Sequence, residues 1–133
     1  MGNICRTILN FTGMEIGFQN RKSRRALLPP ISGTACQGEL IAVVGKNGIG
    51  KSTLLRTFAG LQDRLSGELA IDGRSINQFS RIGLSQKIGY ISTETVKVSN
   101  LKVYDLVAMG RFPYTNWLGR IEIADDTIIN EAI

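Results

Sequence analysis

Three glycines, two lysines, a serine and a threonine fall within nine residues, Gly45-Lys46-Asn47-Gly48-Ile49-Gly50-Lys51-Ser52-Thr53. The spacing Gly-x-x-x-x-Gly-Lys-Ser is that of a phosphate-binding loop, and each fixed residue has a physical task. Without side chains, Gly45, Gly48 and Gly50 let the backbone wrap closely around an anion. The loop's N–H groups, with Asn47, Ile49 and Lys46 contributing theirs, converge on phosphate oxygens where a helix begins. Lys51 brings a full positive charge to the β- and γ-phosphates. Ser52 offers a hydroxyl to Mg²⁺, and Thr53 a hydroxyl and an N–H to the α-phosphate. The bland alternative, a glycine-rich turn that contains a lysine, does not account for the flanking pattern. A short apolar run (LIAVV) precedes the loop and an amphipathic run (LLRTFAGL) follows it.

Other residues exclude chemistry more than they suggest it. The chain has no histidine, and its two cysteines, Cys5 and Cys36, are far apart in sequence. Metal binding and Cys–His catalysis are therefore not expected, and a reduced, cytoplasmic pair of thiols is. The net charge of +5 is partly concentrated in RKSRR, Arg21 to Arg25. That cluster reads either as a solvated hairpin tip or as a contact for nucleic acid or anionic lipid. No aromatic-basic interleaving accompanies it, and no nucleic-acid partner is expected. Hydrophobic residues make up 43% and charged residues 20% of the 133, a soluble globular composition with no run long enough to span a bilayer. The start MGNICRTILN has neither a secretory leader nor, with Arg6, a complete myristoylation signal.

The elements that must position the loop follow from periodicity. Ile8–Phe18 alternates and is rich in β-formers, predicting a strand with a bulge at Gly13. Asn20–Arg24 is a turn, and Ala26–Ala35 is extended, with Pro29 and Pro30 placing it at an edge. Leu40–Val44 has the continuous apolar character of a strand buried on both faces of a parallel sheet. Lys51–Leu61 carries apolar residues at 54, 55, 58, 59 and 61, one face of a helix, with Gly60 as its C-cap. Leu69–Ile71 ends in the turn signal Asp72-Gly73. Lys87–Ile91 is another strand candidate. Leu101–Met109 has helical spacing up to Gly110 and Pro113. Asp125–Ile133 opens with two acids suited to a helix N-terminus.

Taken together, GELIAVVGKNGIGKSTLLRTFAGLQDRLSGELAIDGRSI resembles the ATP-binding subunit of an ABC transporter. The segment NLKVYDLVAMGRFPYTNWLGR is similar to that of the importers of iron(III)-siderophores, haem and vitamin B12. The likeness runs from about Ile8 to the last residue. It implies an α/β P-loop fold: an antiparallel β subdomain, part of a parallel-sheet core and the start of a helical subdomain. Residues 1–100 would be the core portion and 101–133 the opening of the helical subdomain. ATP and Mg²⁺ are the implied cofactors. Phe18 stands at the position of the family's aromatic residue that stacks on adenine, usually tyrosine. The alternative is an ordinary strand aromatic. Tyr104, Phe112, Tyr114 and Trp117 would lie near the groove for a permease, or else pack within the helical subdomain.

The resemblance also implies partners: a transmembrane permease, a second ATP-binding subunit in a homodimer and, indirectly, an extracellular binding protein. The location would be the cytoplasmic face of the membrane. One departure is plain. The glutamine expected after KIGYI is absent, and Thr93 takes its position as a metal contact, with Glu94 as a neighbouring substitute. Leu65-Ser66-Gly67-Glu68 mimics the family's LSGGQ signature, but it falls where the family begins a strand. Ile121–Asp126 (IEIADD) mimics a Walker B strand, but a helix start explains its acids better. No switch histidine exists. The expected function is ATP binding for an importer whose intact form is an ATPase, with nucleotide binding at most in these 133 residues. The alternative is a non-hydrolysing interaction module that docks on a permease or another partner.

Overall fold

Alternation in TILNFTGME produces strand β1, Thr7–Glu15, one of the two inner members of the first sheet. In the computed structural model the described residues are 5–93, 100–115 and 120–133. They belong to two compact units, Met1–Ser80 and Arg81–Ile133. In the first unit β1 pairs antiparallel with β4 (Ile31–Cys36) on one side and β5 (Ser66–Ile71) on the other. Strand β6, Arg74–Ser75, completes the order β4-β1-β5-β6. A separate hairpin joins β2 (Gly17–Gln19) to β3 (Arg24–Ala26). The RKSRR cluster lies at and beside its tip, where the Asn20 carboxamide oxygen accepts the N–H groups of Lys22 and Ser23. Such a side-chain-closed turn holds the basic residues out in solvent.

Several local predictions hold for identifiable reasons. The register of β1 slips between Phe11 and Met14 against β4, and between Thr12 and Glu15 against β5, with Gly13 at φ +54°. This is the bulge. Asp72 and Gly73 both take positive φ (50° and 74°), the two-residue hairpin geometry that suits the twist of β5 and β6. Helix α1 spans Lys51–Phe58. At its end Gly60 (φ +69°) gives its N–H to the Thr57 carbonyl, and Leu61 gives its own to Arg56. That pair of bonds is a Schellman cap. Pro29 and Pro30 precede β4, which is an edge strand of its sheet.

The core of this unit is Met14, Ile16, Leu54, Leu69, Ile71 and Ile76, all buried. The Phe11 and Phe58 rings meet at 5.0 Å between centroids, bringing α1 onto the sheet. Thr57 is buried in the same layer and satisfies its hydroxyl on the Thr53 carbonyl one turn back (2.9 Å).

Two strand predictions fail. Leu40–Val44 is irregular and exposed, with Leu40 99% and Val44 86% accessible. Lys87–Ile91 likewise forms no strand, and Ile91 is 96% accessible. A strand is stable only with ladder partners, and no parallel pair forms among the described strands. An apolar run supplies the side chains for such a strand but not the neighbours. The prediction of two reduced thiols is also overturned: Cys5 and Cys36 form a disulfide, with Cα atoms 5.8 Å apart. Cys36 ends β4 directly opposite Thr7, so the pairing of β1 with β4 brings the sulfurs together. A cross-link over this sequence separation of 31 contributes about 3–4 kcal/mol by restricting the unfolded chain.

In the second unit, α2 (Arg81–Ser85) is a short helix that periodicity does not announce. It is followed by α3 (Val103–Met109), a 3₁₀ turn over Phe112–Tyr114 and α4 (Ile123–Ala132). The acids of IEIADD do open a helix. Asp125 accepts the Glu122 N–H in a capping-box arrangement, and Tyr104 donates its hydroxyl to Asp126. Ile129 is fully buried beneath them. Arg111 reaches the other Asp125 oxygen, Oδ1, with two nitrogens, Nη2 at 2.7 and Nε at 2.8 Å.

The Arg111 guanidinium, then the Glu122 N–H, hold the Asp125 carboxyl below the usual carboxylate range. A depressed folded pKa means stabilisation that is complete above the unfolded value of about 3.9 and lost as pH falls through the folded one. The stability difference between the native chain and Asp125→Asn should therefore stay constant from pH 7 to about 5. It should shrink below about 4. Urea unfolding at several pH values checks this, and an unchanged difference at pH 3 would show that the ion pair contributes nothing.

Candidate functional site

The loop at 45–53 runs from the irregular Leu40–Val44 segment into the first turn of α1, and residues 45–49 are exposed. Gly48 and Gly50 take φ of +80° and +113°, a region that favours glycine. Gly50 has a further constraint, because a Cβ there would lie 3.3 Å from Leu27 Cδ1 and 3.5 Å from Ile16 Cδ1. The back of the loop thus rests on Leu27 and Ile16, which are themselves joined by the Leu27 N–H to Ile16 carbonyl bond.

The Lys51 ammonium folds back over the loop and donates to the carbonyl oxygens of Gly45 (2.7 Å) and Lys46 (2.9 Å). A small turn, Ile49 N–H to Lys46 carbonyl, shapes the loop's tip. The first bond of α1 runs from the Leu54 N–H to the Gly50 carbonyl. The N–H groups of the preceding turn therefore have no partner within the helix, and the helix dipole adds partial positive charge there. Ser52 is exposed on that turn, whereas Thr53 is buried at 8% accessibility. A charged ammonium, a helix N-terminus and an exposed hydroxyl, all within one loop, can bind a polyphosphate.

Phe18 lies elsewhere in the unit. It is 57% exposed and borders an open cleft of about 970 Å³ with Arg21, Gln62, Arg64 and Asn77 among its walls. None of the residues 45–53 lines that cleft. The link between the two places is the chain itself, since Phe18 stands two residues beyond Ile16, behind Gly50. Gln62, Arg64 and Asn77 carried no signal in the sequence, because only the hairpin's placement beside the end of α1 turns them into a wall. Thr93 is exposed in the second unit, and Glu94 lies outside the described residues.

Of the four aromatics near 104–117, Phe112 (73%) and Tyr114 (50%) are exposed, with the Arg111 guanidinium 4.2 Å from the Tyr114 ring centroid. Tyr104 is half-buried and engaged with Asp126, which raises its pKa. Trp117 lies outside the described residues. No helix among the described residues is long and apolar enough to cross a membrane.

The family model described as ABC transporter matches residues 28–132. An ABC transporter ATP-binding protein of Methanocaldococcus jannaschii, itself uncharacterized, is 36% identical over 96 residues, 72% of this chain and 33% of that protein. The achromobactin transport ATP-binding protein of Dickeya dadantii is 32% identical over 97 residues, 73% of this chain and 36% of its own length. Another relative is named for iron(3+)-hydroxamate import. The chain thus spans about a third of the length of the first two curated relatives. Among solved structures, a bacterial Atm1-family ABC exporter with ATP bound superposes with a TM-score of 0.67 at 26% identity. That match covers 84% of this chain and 19% of the exporter's. With the phosphate loop inside a matched span that covers most of the chain, the chain belongs to the ABC transporter family.

Proposed function

We propose that this chain is an ATP-binding component of an ABC importer for iron(III)-siderophores, haem or cobalamin. The observation that carries the reading is the Gly45–Thr53 loop, with the Lys51 ammonium held over its mouth at the start of α1. Lys51 exchanges its two carbonyl partners for β- and γ-phosphate oxygens, and the N–H groups from Lys46 to Thr53 surround the anion. Mg²⁺ prefers oxygen donors and keeps phosphate and water ligands. The exposed Ser52 hydroxyl fits that preference, and Thr93 takes the place of a second contact. When bound, the ion neutralises charge on the phosphates.

Residues 1–100 form the nucleotide-binding portion in this reading, and 101–133 open the helical subdomain. Relatives named for achromobactin transport and iron(3+)-hydroxamate import support the importer class. A permease, a second ATP-binding subunit and a place at the cytoplasmic face of the membrane follow from that class, as does an extracellular binding protein acting through the permease. The 133 residues contain no LSGGQ and no histidine, and their paired acids 125 and 126 open α4. Nucleotide binding with background hydrolysis is therefore the activity proposed for the chain itself, and ATPase activity for the intact importer.

Phe18 tests where the base goes. If adenine stacks on its ring, Phe18→Ala weakens ATP binding about tenfold, since base–aromatic stacking contributes about 1–3 kcal/mol. Inorganic tripolyphosphate, which has no base, should bind both forms equally. Competition against a fluorescent nucleotide measures both. Equal ATP affinity in the variant would return Phe18 to the status of a strand aromatic. The exposed Phe112 and Tyr114 support a second reading, a docking module without hydrolysis. Phosphate binding by the loop is the property that separates the two.

A further inference from the structure

The disulfide lies beside a third donor. Cys36 ends β4, and the turn Gln37-Gly38 (Gly38 φ +83°) brings Glu39 back over it. The Cys36 N–H donates to Glu39 Oε2 at 2.7 Å, and the Glu39 N–H donates to the Cys36 carbonyl at 3.2 Å. The Gln37 N–H bonds to the Arg6 carbonyl at 2.9 Å, fixing this turn against the residue that follows Cys5. As a result the two sulfurs and a Glu39 carboxylate oxygen all lie within 4.8 Å of one another.

We propose that the dithiol form of the chain holds one soft divalent cation, of the Zn²⁺ type, on Cys5, Cys36 and Glu39, and that oxidation to the disulfide expels it. Zinc takes thiolate sulfur at about 2.3 Å and carboxylate oxygen at about 2.0–2.2 Å, so three of its ligands sit roughly 3.5 Å apart. A backbone that lets two sulfurs bond also lets them meet at one ion after a side-chain rotation. The Cys36 N–H orients the carboxylate through one oxygen and leaves the other for the metal, as outer hydrogen bonds do in metal sites. Metal binding removes the thiol protons, and two thiolates with one carboxylate supply three negative charges. The Arg6 guanidinium does not repel the cation at full strength, because it pairs with Asp72 at 3.1 Å. Cys5 and Glu39 are exposed, so the fourth position is open to water and the ion exchanges readily.

The redox step balances with a small-molecule disulfide as oxidant. One thiolate attacks it, releasing a thiolate and forming a mixed disulfide. The second protein thiolate displaces the other half, so two electrons pass to the small molecule and two thiolates leave. The protein is left with its Cys5–Cys36 bond, and the cation is free.

The test uses the full chain, reduced with a phosphine and freed of oxygen, and titrated with Co²⁺. The expected result is one Co²⁺ per chain with thiolate-to-metal charge-transfer absorption, abolished by one equivalent of Zn²⁺. Cys5→Ser and Cys36→Ser should each weaken binding at least about a hundredfold. Glu39→Gln should weaken it about tenfold and keep the charge-transfer band. Circular dichroism of the three variants checks that they fold, and Glu39→Gln alters only an exposed side chain if a cysteine variant does not. Absence of the charge-transfer band, or unchanged affinity in both serine variants, overturns the site. Adding glutathione disulfide to the zinc-loaded chain should release one Zn²⁺ to a chromogenic chelator. Retention of zinc while the disulfide forms overturns the release.

Discussion

Lys51→Ala is expected to weaken Mg-ATP binding by at least about two orders of magnitude while leaving the fold intact. The ammonium is poised by two bonds to the carbonyls of Gly45 and Lys46. Neutral carbonyls exchange for charged phosphate oxygens when a triphosphate arrives, and bonds to charged partners are the stronger kind, about 1.5–3 kcal/mol each. Two of them, discounted for a side chain that is only half-buried, amount to about 3 kcal/mol, or a hundredfold. The same alanine removes two hydrogen bonds from an exposed loop of the free protein, where water replaces them at little cost. AMP supplies the internal control. It has no β- or γ-phosphate, so its affinity should change less than about threefold. Isothermal titration with ATP and AMP measures both. Equal losses for the two nucleotides would mean that the lysine shapes the loop and does not hold the phosphates.

What the sequence announces, and what it leaves silent, divides along a physical line. The loop at 45–53, the Gly13 bulge, the Asp72-Gly73 turn and the Gly60 cap each depend on a few consecutive residues, and the structure has the bulge, the turn and the cap where they are expected. Positive φ is a local requirement with a local residue preference. Leu40–Val44 and Lys87–Ile91 have the composition of strands, but strand formation is a property of a pair. With no ladder partner for either among the described residues, both stay irregular.

The Cys5–Cys36 bond is silent for a related reason. Nothing within either cysteine's own stretch points to the other, and only the register Thr7 opposite Cys36 brings them together. The cleft beside Phe18 is of the same kind, since its walls come from three stretches of the first unit. The paired acids at 125 and 126 show a partial reading. Their place at a helix start is local and legible, whereas the Arg111 and Tyr104 partners that engage them are not.

Gly67→Ala should be severely damaging for so conservative a substitution, costing about 4 kcal/mol or more, enough to threaten folding. Two effects add at this residue. Its φ of +82° disfavours any side chain, which alone costs about 1–2 kcal/mol. Its Cβ would also lie 2.3 Å from the Gly13 carbonyl oxygen and 2.6 Å from Met14 Cα, in the bulge of the neighbouring strand. Both obstacles are backbone atoms, and Met14 is fully buried, so neither can step aside without shifting the β1–β5 pairing. Gly13 and Gly48 separate the two effects. Each has positive φ, and a Cβ at either would meet nothing within 4 Å. Gly13→Ala and Gly48→Ala should therefore show only the conformational cost, about 1–2 kcal/mol. Urea unfolding of the three variants measures the contrast. If Gly67→Ala were no worse than the other two, the close approach of β5 to the bulge would be wrong. The residue that mimics part of an ATPase signature in LSGE is then required by packing, because only glycine lets β5 begin against the Gly13 turn.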